Sequence, residues 1–501
     1  MKTTAVPQDR ATWERLAAQL HPQGEACIDG HARAAQDGRV FADLSPIDGA
    51  VICQVARCGA ADVASAVAAA RKSFEAGVWR RTEPRERKRI LRRFADAIRA
   101  DTVRLALLET CDVGKPIRNS VEVDVANCAD CIEYYAEFAD KLNDEVAPTG
   151  PLDLALIRRE PLGVVGAIVP WNYPLIISCW KVGPALLTGN SVVLKPAEQS
   201  PLSGIRLGEL ALEAGVPPGV FNVVPGFGEE AGKALALHPD VDLIAFTGST
   251  EVGRLMLRYA SESNLKRVAL ECGGKTPQVV FADADLEAAA YGIAWGIYYN
   301  SGETCHAGSR LIVHESVKEA LLEAIARVTA TITLGHPLEA STQMGALIDE
   351  KHMQRVLGFI EGAVAAGARL ALGGHRALKE SGGFYVEATV LDGVRPQMKV
   401  AQEEVFGPVL AVMTFRDEAE AVRLANDTPY GLAAAVWTAD MNVAHRLTHA
   451  LRGGTVWVNT FDRSTMATPF GGFKLSGSGR DRSAHAIDKY SDLKTIWTAY
   501  R

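Results

Sequence analysis

Cys305 lies in a run of small residues, Asn300-Ser-Gly-Glu-Thr-Cys-His-Ala-Gly-Ser-Arg310, with Gly302 and Gly308 three positions to either side. An apolar segment, Ile293 to Tyr299, leads into the run and a strand-like one, Arg310 to His314, leaves it. A loop between packed elements exposes a thiol, and glycines let backbone amides approach a ligand closely. A thiolate so placed is a nucleophile for an electrophilic carbon. Taken alone, a cysteine is more often a small buried hydrophobe; the company it keeps makes this one a candidate.

That company is found in four further stretches. Pro170-Trp171-Asn172-Tyr173-Pro174 closes a strand-like segment; its prolines stiffen the turn and push Tyr173 to extended geometry. Asn172 can there offer its amide NH2 to an oxyanion, although an isolated turn asparagine usually satisfies its own backbone. Lys195-Pro-Ala-Glu198 puts a cation and an acid at the end of a strand. They suit ribose hydroxyls, and the acid disfavours a 2′-phosphate; a surface ion pair is the alternative. Glu271, ending a strand before Gly273 and Gly274, is expected to point into a crevice where burial raises its pKa and makes it a general base. Glu404 and Phe406 precede a tight turn at Gly407-Pro408.

The elements that must position these groups are legible in outline. Strand-like runs at 164–169, 192–195, 221–224, 243–247 and 268–271 alternate with helical runs starting near Pro174, Pro201, Glu229 and Thr250. Such alternation predicts a parallel sheet with helices on both faces and ligands at the carboxyl ends of its strands. Ser200-Pro201 reads as an N-cap followed by the first helical position. The fingerprint G-x-G-x-x-G is absent; Gly226-Phe-Gly228-Glu-Glu-Ala-Gly232 is one residue too long. A second strand–helix series runs from Gly274 to about Gly472, with helices near 285–297 and 316–331 and strands near 409–415 and 455–459. Ahead of the first series come a helical arm at 8–20, a strand pair at 41–55, helices at 60–76 and 85–100, further helix from 102 to 142 and an exposed strand at 152–160. The tail at 490–498 reads as an amphipathic strand. Pro161 to Trp180 is apolar enough to mimic a membrane span, but Pro170 and Pro174 divide it into a buried strand, a turn and a buried helix.

Composition narrows the class. A formal charge of −7 argues against a nucleic-acid surface. Nine scattered cysteines fit reduced thiols better than a disulfide framework. Cys128 and Cys131 form a lone C-x-x-C, read as small apolar helix positions, and no metal is expected. Residues 1–8 lack a hydrophobic segment for export, so a soluble, cytoplasmic protein is expected.

The segments PWNYP (170–174), VLKPAE (193–198), FTGST (246–250), ECGGK (271–275), NSGETCHAGSR (300–310), EEVFGP (403–408) and PFGGFKLSGSGRD (469–481) occur in this order along the chain. Together they resemble the NAD(P)-dependent aldehyde dehydrogenases. The resemblance implies oxidation of an aldehyde to a carboxylic acid with NAD, NADP being less favoured. It also implies an α/β fold with a Rossmann-like cofactor domain (1–140 and 161–273), a catalytic domain (274–482) and a small β oligomerisation flap (141–160 and 483–501). Cys305 would pass through a thiohemiacetal and a thioester; Asn172 and the Cys305 N–H would hold the oxyanion. Glu271 would activate water, with Lys181 in the catalytic set. Lys195 and Glu198 would bind the adenosine ribose, Ser249 the pyrophosphate, and Glu404 with Phe406 the nicotinamide ribose and ring. Ile168, Pro170, Trp171, Gly228 and Gly232 would line the cofactor cleft. Phe246, Thr247, Gly248 and Gly273 would complete it, replacing the missing fingerprint.

Several positions depart from the family pattern. Ser301 and Glu303 stand where members often carry glutamines, Cys272 replaces a frequent leucine, and Asp481 replaces the usual glutamate. Asp481 is one methylene shorter and is expected to alter how Lys181 or the Glu271 loop is held. The stretches 110–117 and 178–181 and the Gly-Arg-Asp481 ending resemble enzymes of ω-amino, guanidino and γ-glutamylamino aldehydes from polyamine and arginine breakdown. Asp124 matches a position that reads a substrate cation. Tyr173, Trp180 and Tyr299 would be aromatic walls capable of cation–π contact, with Thr304, Asp462 and Phe470 beside them. The same aromatics would serve a broad funnel for medium-chain aliphatic or aromatic aldehydes. Arg463 adds a positive charge near the mouth that would repel an ammonium and welcome a carboxylate, so a γ-glutamylated aldehyde suits Asp124 and Arg463 together.

Two other classes compete. Cys305 and His306 invite a cysteine-hydrolase dyad, against which adjacent side chains generally point different ways. A non-catalytic protein on this fold would normally have lost Cys305 or Glu271. The exposed strands at 141–160 and 483–501 are edges that want partners, so a homodimer or homotetramer is expected.

Overall fold

A computed structural model describes residues 6–501; most of the segment read for an export signal lies outside the described residues. Five strands, Val164–Ile168 (β1), Ser191–Lys195 (β2), Phe221–Val223 (β3), Leu243–Gly248 (β4) and Arg267–Cys272 (β5), run parallel in the order β3-β2-β1-β4-β5. Every residue of β1 and β2 is buried, as strands covered on both faces require. The strand order reverses between β1 and β4, and the crevice at their carboxyl ends is where such a sheet binds ligands. Pro170-Trp171-Asn172 leaves β1 there, and Ser249 follows β4.

Helix α1 (Pro174–Thr188) follows the PWNYP turn, with Pro174 at its first turn and Gly189 (φ 95°) ending it. It is buried along nearly its whole length, which explains why its sequence mimics a membrane span. No helix among the described residues is long and apolar enough to cross a membrane. Helix α2 (Leu202–Glu213) starts differently from expectation. Ser200 Oγ turns to the Trp171 carbonyl (3.3 Å), and the buried Asp112 carboxylate accepts the Leu202 N–H (3.0 Å). The free N–H at the helix start is thus satisfied from another helix rather than from its own cap. The predicted helical stretch 102–142 is likewise broken: Thr102–Val113 ends at Gly114 (φ 80°), and a π-helical turn, Ser120–Val125, precedes Ala126–Phe138. Cys128 and Cys131 are buried in that last helix as free thiols.

A second sheet of seven strands holds Pro277–Val280, Arg310–His314, Val409–Phe415, Ala433–Trp437 and Thr455–Val458 in parallel. The Cys305 loop joins helix Leu286–Tyr298 to the central strand Arg310–His314. A third sheet pairs Ser491–Ala499 with Asp153–Pro161 over nine residues, with Glu145–Ala147 beyond. The two strands expected to seek partners therefore satisfy each other; among the described residues the sheet stays open along the short Glu145–Ala147 and along the longer outer edge of Ser491–Ala499. On it Leu493 is 57% and Trp497 62% exposed.

Candidate active site

Three consecutive residues ahead of the cysteine, Asn300, Ser301 and Gly302, adopt left-handed backbone (φ 48°, 55° and 75°). For the two non-glycines this costs on the order of 1–3 kcal/mol each and persists only where surroundings over-determine it. Here they do. A Cβ on Gly302 would lie 2.2 Å from the Gly407 carbonyl oxygen, and one on Gly308 2.2 Å from Gln278 Nε2. Those glycines, expected to admit a ligand, instead admit the protein's own backbone and a core glutamine. Ser301 Oγ donates to the Gly345 carbonyl (3.0 Å), and the buried Glu303 carboxylate accepts the Ile348 N–H (2.9 Å).

The PWNYP turn is stitched to this loop. Asn172 Nδ2 donates to the Glu303 carbonyl at 2.8 Å, which Asn300 Nδ2 also reaches at 3.1 Å, and Tyr173 OH meets Thr304 Oγ1 at 2.8 Å. An amide NH2 has two donors, so one Asn172 N–H engages the loop and the second is unassigned among the described residues. Cys305 itself is half-buried and free.

Glu271 sits near the carboxyl end of β5, paired antiparallel with Gly477 of the glycine-dense loop. That loop crosses back from the second sheet, and Gly471 lies against the Glu271 carboxylate: a Cβ there would be 2.6 Å from Oε1. Both Glu271 oxygens are buried without a hydrogen-bond partner. Burial, with the Asp481 charge adding, pushes the carboxyl well above the ordinary glutamate range, against the opposing pull of Lys181 and Lys489. Asp481 is bridged to the loop by Phe470, each accepting the other's N–H (2.8 and 2.7 Å). Its carboxylate takes Lys181 Nζ on one oxygen (2.5 Å) and Lys489 Nζ on the other. Burial would raise the Asp481 pKa, but Lys181 and then Lys489 outweigh it and hold it below the ordinary value. Lys489 was not singled out from sequence; it follows Asp481 by eight positions with no motif around it.

The residues expected to hold the cofactor lie as follows. Lys195 is 2% exposed and donates to Glu198 at 2.8 Å, so the surface-pair alternative fails for the lysine. Thr247 Oγ1 is buried without a partner, and a Cβ on Gly228 or Gly232 would meet open space, features that fit an extended polar ligand. Those two glycines bound a π-helical turn, Gly228–Gly232, where a helix start was expected near Glu229. Ser249 caps helix Thr250–Ser261 by accepting the Val252 N–H (3.2 Å). Phe246 is core-packed and 3% exposed, so it shapes the cleft from behind; Ile168 at 7% does the same beside Pro170. Trp171 stands edge-on to Phe406, their ring centroids 5.2 Å apart. Glu404 accepts the Gly274 N–H (3.0 Å); burial lifts its carboxyl to about 7 against that hydrogen bond. Gly273 packs directly on the same carboxylate, and a Cβ on Gly274 would lie 2.7 Å from the Cys305 carbonyl oxygen. The glycines after Glu271 therefore touch both Glu404 and the cysteine loop.

The substrate side differs from expectation. Asp124 faces no free space: it is 0% exposed, and its Oδ1 is paired with Lys115 Nζ at 2.8 Å. Lys115 also lies over the Tyr173 ring at 4.2 Å. Asp462 is taken by His306, Nε2 to Oδ1 2.8 Å, and His306 Nδ1 lies 3.8 Å from Cys305 Sγ. The adjacent side chains thus turn the same way, because Asp462 and the rings of Trp457 and Phe470 hold the imidazole over the thiol. Arg482 covers both Trp180 and Phe470 at 5.2 Å, so those aromatic faces already carry a cation. Arg463 is exposed, its backbone fixed by the Trp457 indole N–H, and with Tyr299 and Asp462 it borders a groove of about 430 Å3.

This arrangement has counterparts. The family model described as the aldehyde dehydrogenase family matches residues 32–496. The chain belongs to the aldehyde dehydrogenase family. The NADP/NAD-dependent aldehyde dehydrogenase PuuC of Escherichia coli (strain K12) is 47% identical over 97% of this chain and 98% of its own length. The P. syringae indole-3-acetaldehyde dehydrogenase AldA, solved with NAD+ and IAA, is 52% identical with a TM-score of 0.97, covering 98% of this chain and 100% of that one. The γ-glutamyl-γ-aminobutyraldehyde dehydrogenase of Burkholderia cenocepacia J2315 is 53% identical with a TM-score of 0.96 at the same coverage. The present chain is thus an NAD(P)-dependent aldehyde dehydrogenase with the α/β fold expected from its motifs.

Proposed function

We propose that Cys305, as thiolate, adds to the carbonyl carbon of an aldehyde, the C–S bond forming as the C=O π pair moves to oxygen. The second Asn172 N–H and the Cys305 backbone N–H receive that oxyanion. NAD, when bound, supplies the two-electron acceptor that oxidation to the thioester requires. Glu271 then takes a proton from water as the water oxygen attacks the thioester carbon, and the thiolate departs from the carboxylic acid. One observation carries this reading: an unpaired, buried glutamate at a strand end and a half-exposed thiol on a loop are brought together through Gly274.

For the substrate we propose an aldehyde from polyamine or arginine breakdown, and within that group a γ-glutamylamino aldehyde. The name of the B. cenocepacia relative bears on the class, since it is itself a γ-glutamyl-γ-aminobutyraldehyde dehydrogenase. Pairing of Asp124 with Lys115 and of Asp462 with His306 leaves little free anion for a bare ammonium, whereas the exposed Arg463 suits a carboxylate. Aromatic aldehydes are the second reading, favoured by Trp180, Trp457, Phe461 and Phe470 and by the P. syringae relative. Measuring kcat/KM for γ-glutamylamino, amino, guanidino, indolyl and plain alkyl aldehydes separates them. The γ-glutamylamino substrate should lead hexanal by about tenfold or more, worth about 1.4 kcal/mol, and lose that lead in Arg463→Glu. Equal values for hexanal and the charged substrates would sink the charge reading.

Lys195 and Glu198 are assigned to the adenosine ribose, which favours NAD over NADP. The same domain limits are proposed, supported by the two large sheets, whose longer strands lie on either side of Gly274, although the two-residue strand Gly477–Ser478 returns to the first. Leu493 and Trp497, exposed on an open strand edge, support a homo-oligomer built through the third sheet.

A further inference from the structure

Among the described residues His306 is the imidazole beside the thiol of Cys305, and its geometry is directional. With Nε2 hydrogen-bonded to the Asp462 carboxylate, the ring proton resides on Nε2 and the Nδ1 lone pair faces Cys305 Sγ, 3.8 Å away. We propose that His306, oriented by Asp462, accepts the Cys305 thiol proton, so that the nucleophile exists as a thiolate–imidazolium pair before cofactor or substrate binds. The proton moves from Sγ to Nδ1, the Nε2–H stays with Asp462, and no other reactant is needed. The inference rests on Cys305 being the nucleophile and adds the group that ionises it.

Three observations support it. The imidazole is immobilised by Trp457, Phe461 and Phe470, with ring centroids at 5.9, 6.4 and 5.6 Å, so its orientation does not depend on Asp462 alone. Its side chain is only 15% exposed, so water screens the pair weakly. Burial opposes a charged ring, yet Asp462 and then Cys305 outweigh it and lift His306 to about 10, where the imidazolium persists through neutral pH. The other charged and titratable groups around the pair are accounted for. Arg482 and the buried phenols of Tyr173 and Tyr299 feel the same Asp462 charge, and Glu271, unpaired, feels the charges of Asp481, Lys181 and Lys489 rather than that of His306.

The test uses enzyme without cofactor or aldehyde. Iodoacetamide forms a thioether with the thiolate and releases iodide, and its rate at Cys305 is followed from pH 5.5 to 9.5 by peptide mass spectrometry. Only about 1% of an ordinary thiol is ionised two pH units below its pKa. His306→Asn should therefore slow alkylation at pH 6.5 by about tenfold or more, with the two rates converging near pH 9.5. Asp462→Asn, which keeps the ring, should move the profile the same way by less, and serves if the first variant misfolds. Profiles of both variants superimposable on wild type would overturn the proposal while leaving the nucleophile intact. Failure of the nucleophile itself would show separately, as undiminished NADH formation by Cys305→Ala.

Discussion

Replacing Asp481 by asparagine should expose what the shortened carboxylate does. In the native protein it is the shared counter-ion of two lysines, with side-chain exposures of 0% for Lys181, 11% for Lys489 and 1% for Asp481. Asparagine leaves both ammonium groups buried without a counter-charge. Breaking a buried pair from one side costs about 3–5 kcal/mol. An independent bound agrees: deprotonating one lysine at pH 7, some 3.5 units below its ordinary pKa, costs about 5 kcal/mol. A destabilisation of about 3–5 kcal/mol is therefore expected at neutral pH, read from denaturant midpoints by tryptophan fluorescence. Because the folded Asp481 pKa is depressed from 3.8, its contribution is fully present above that value and is lost as pH falls through the folded one. The variant and wild type should thus converge only in strong acid. The same substitution removes the charge that raises Glu271 and leaves the two lysines that lower it. The acid limb of the thioester-hydrolysis rate should accordingly shift to lower pH. Asp481→Asn/Lys489→Met should recover part of the stability, since one orphaned ammonium is gone. A single variant within about 1 kcal/mol of wild type, with an unmoved pH profile, would refute the network as drawn.

Gly302→Ala would force a Cβ against the Gly407 carbonyl at a left-handed position, and kcat should fall more than tenfold with a lowered melting temperature. Glu198→Gln should raise the NADP/NAD ratio of kcat/KM by about tenfold, worth about 1.4 kcal/mol, because the acid facing a 2′-phosphate is gone; an unchanged ratio would remove Glu198 from the ribose site. Trp497→Lys, on the open edge of the third sheet, should lower the mass measured by light scattering to that of a smaller assembly, with the monomer fold intact by circular dichroism.

Much of this molecule was legible because its reactive groups sit where periodicity changes. Asn172, Lys195 and Glu271 each lie at or just beyond the carboxyl end of a buried parallel strand, and strand ends can be found from hydrophobic runs followed by glycine or proline. What could not be read was which charges meet across the fold. Asp124 is paired with Lys115, nine residues earlier, through the π-helical turn that carries it. Asp462 reaches His306 across 156 positions, and Lys181 reaches Asp481 across 300. Local spacing carries no information about such pairs. The rule that neighbouring side chains diverge misled for His306, because a distant carboxylate and three rings fix its side chain against the thiol. The Ser200 cap failed similarly: a buried acid on another helix supplied the hydrogen bond instead.

The division of labour between Cys305 and Glu271 is tested most directly by rapid mixing of Glu271→Gln with NAD and saturating aldehyde. The account predicts a burst of one NADH per active site followed by near arrest, with the acyl group found on Cys305 by mass spectrometry. Steady NADH formation at the wild-type rate, or a burst without an acylated Cys305, would contradict it.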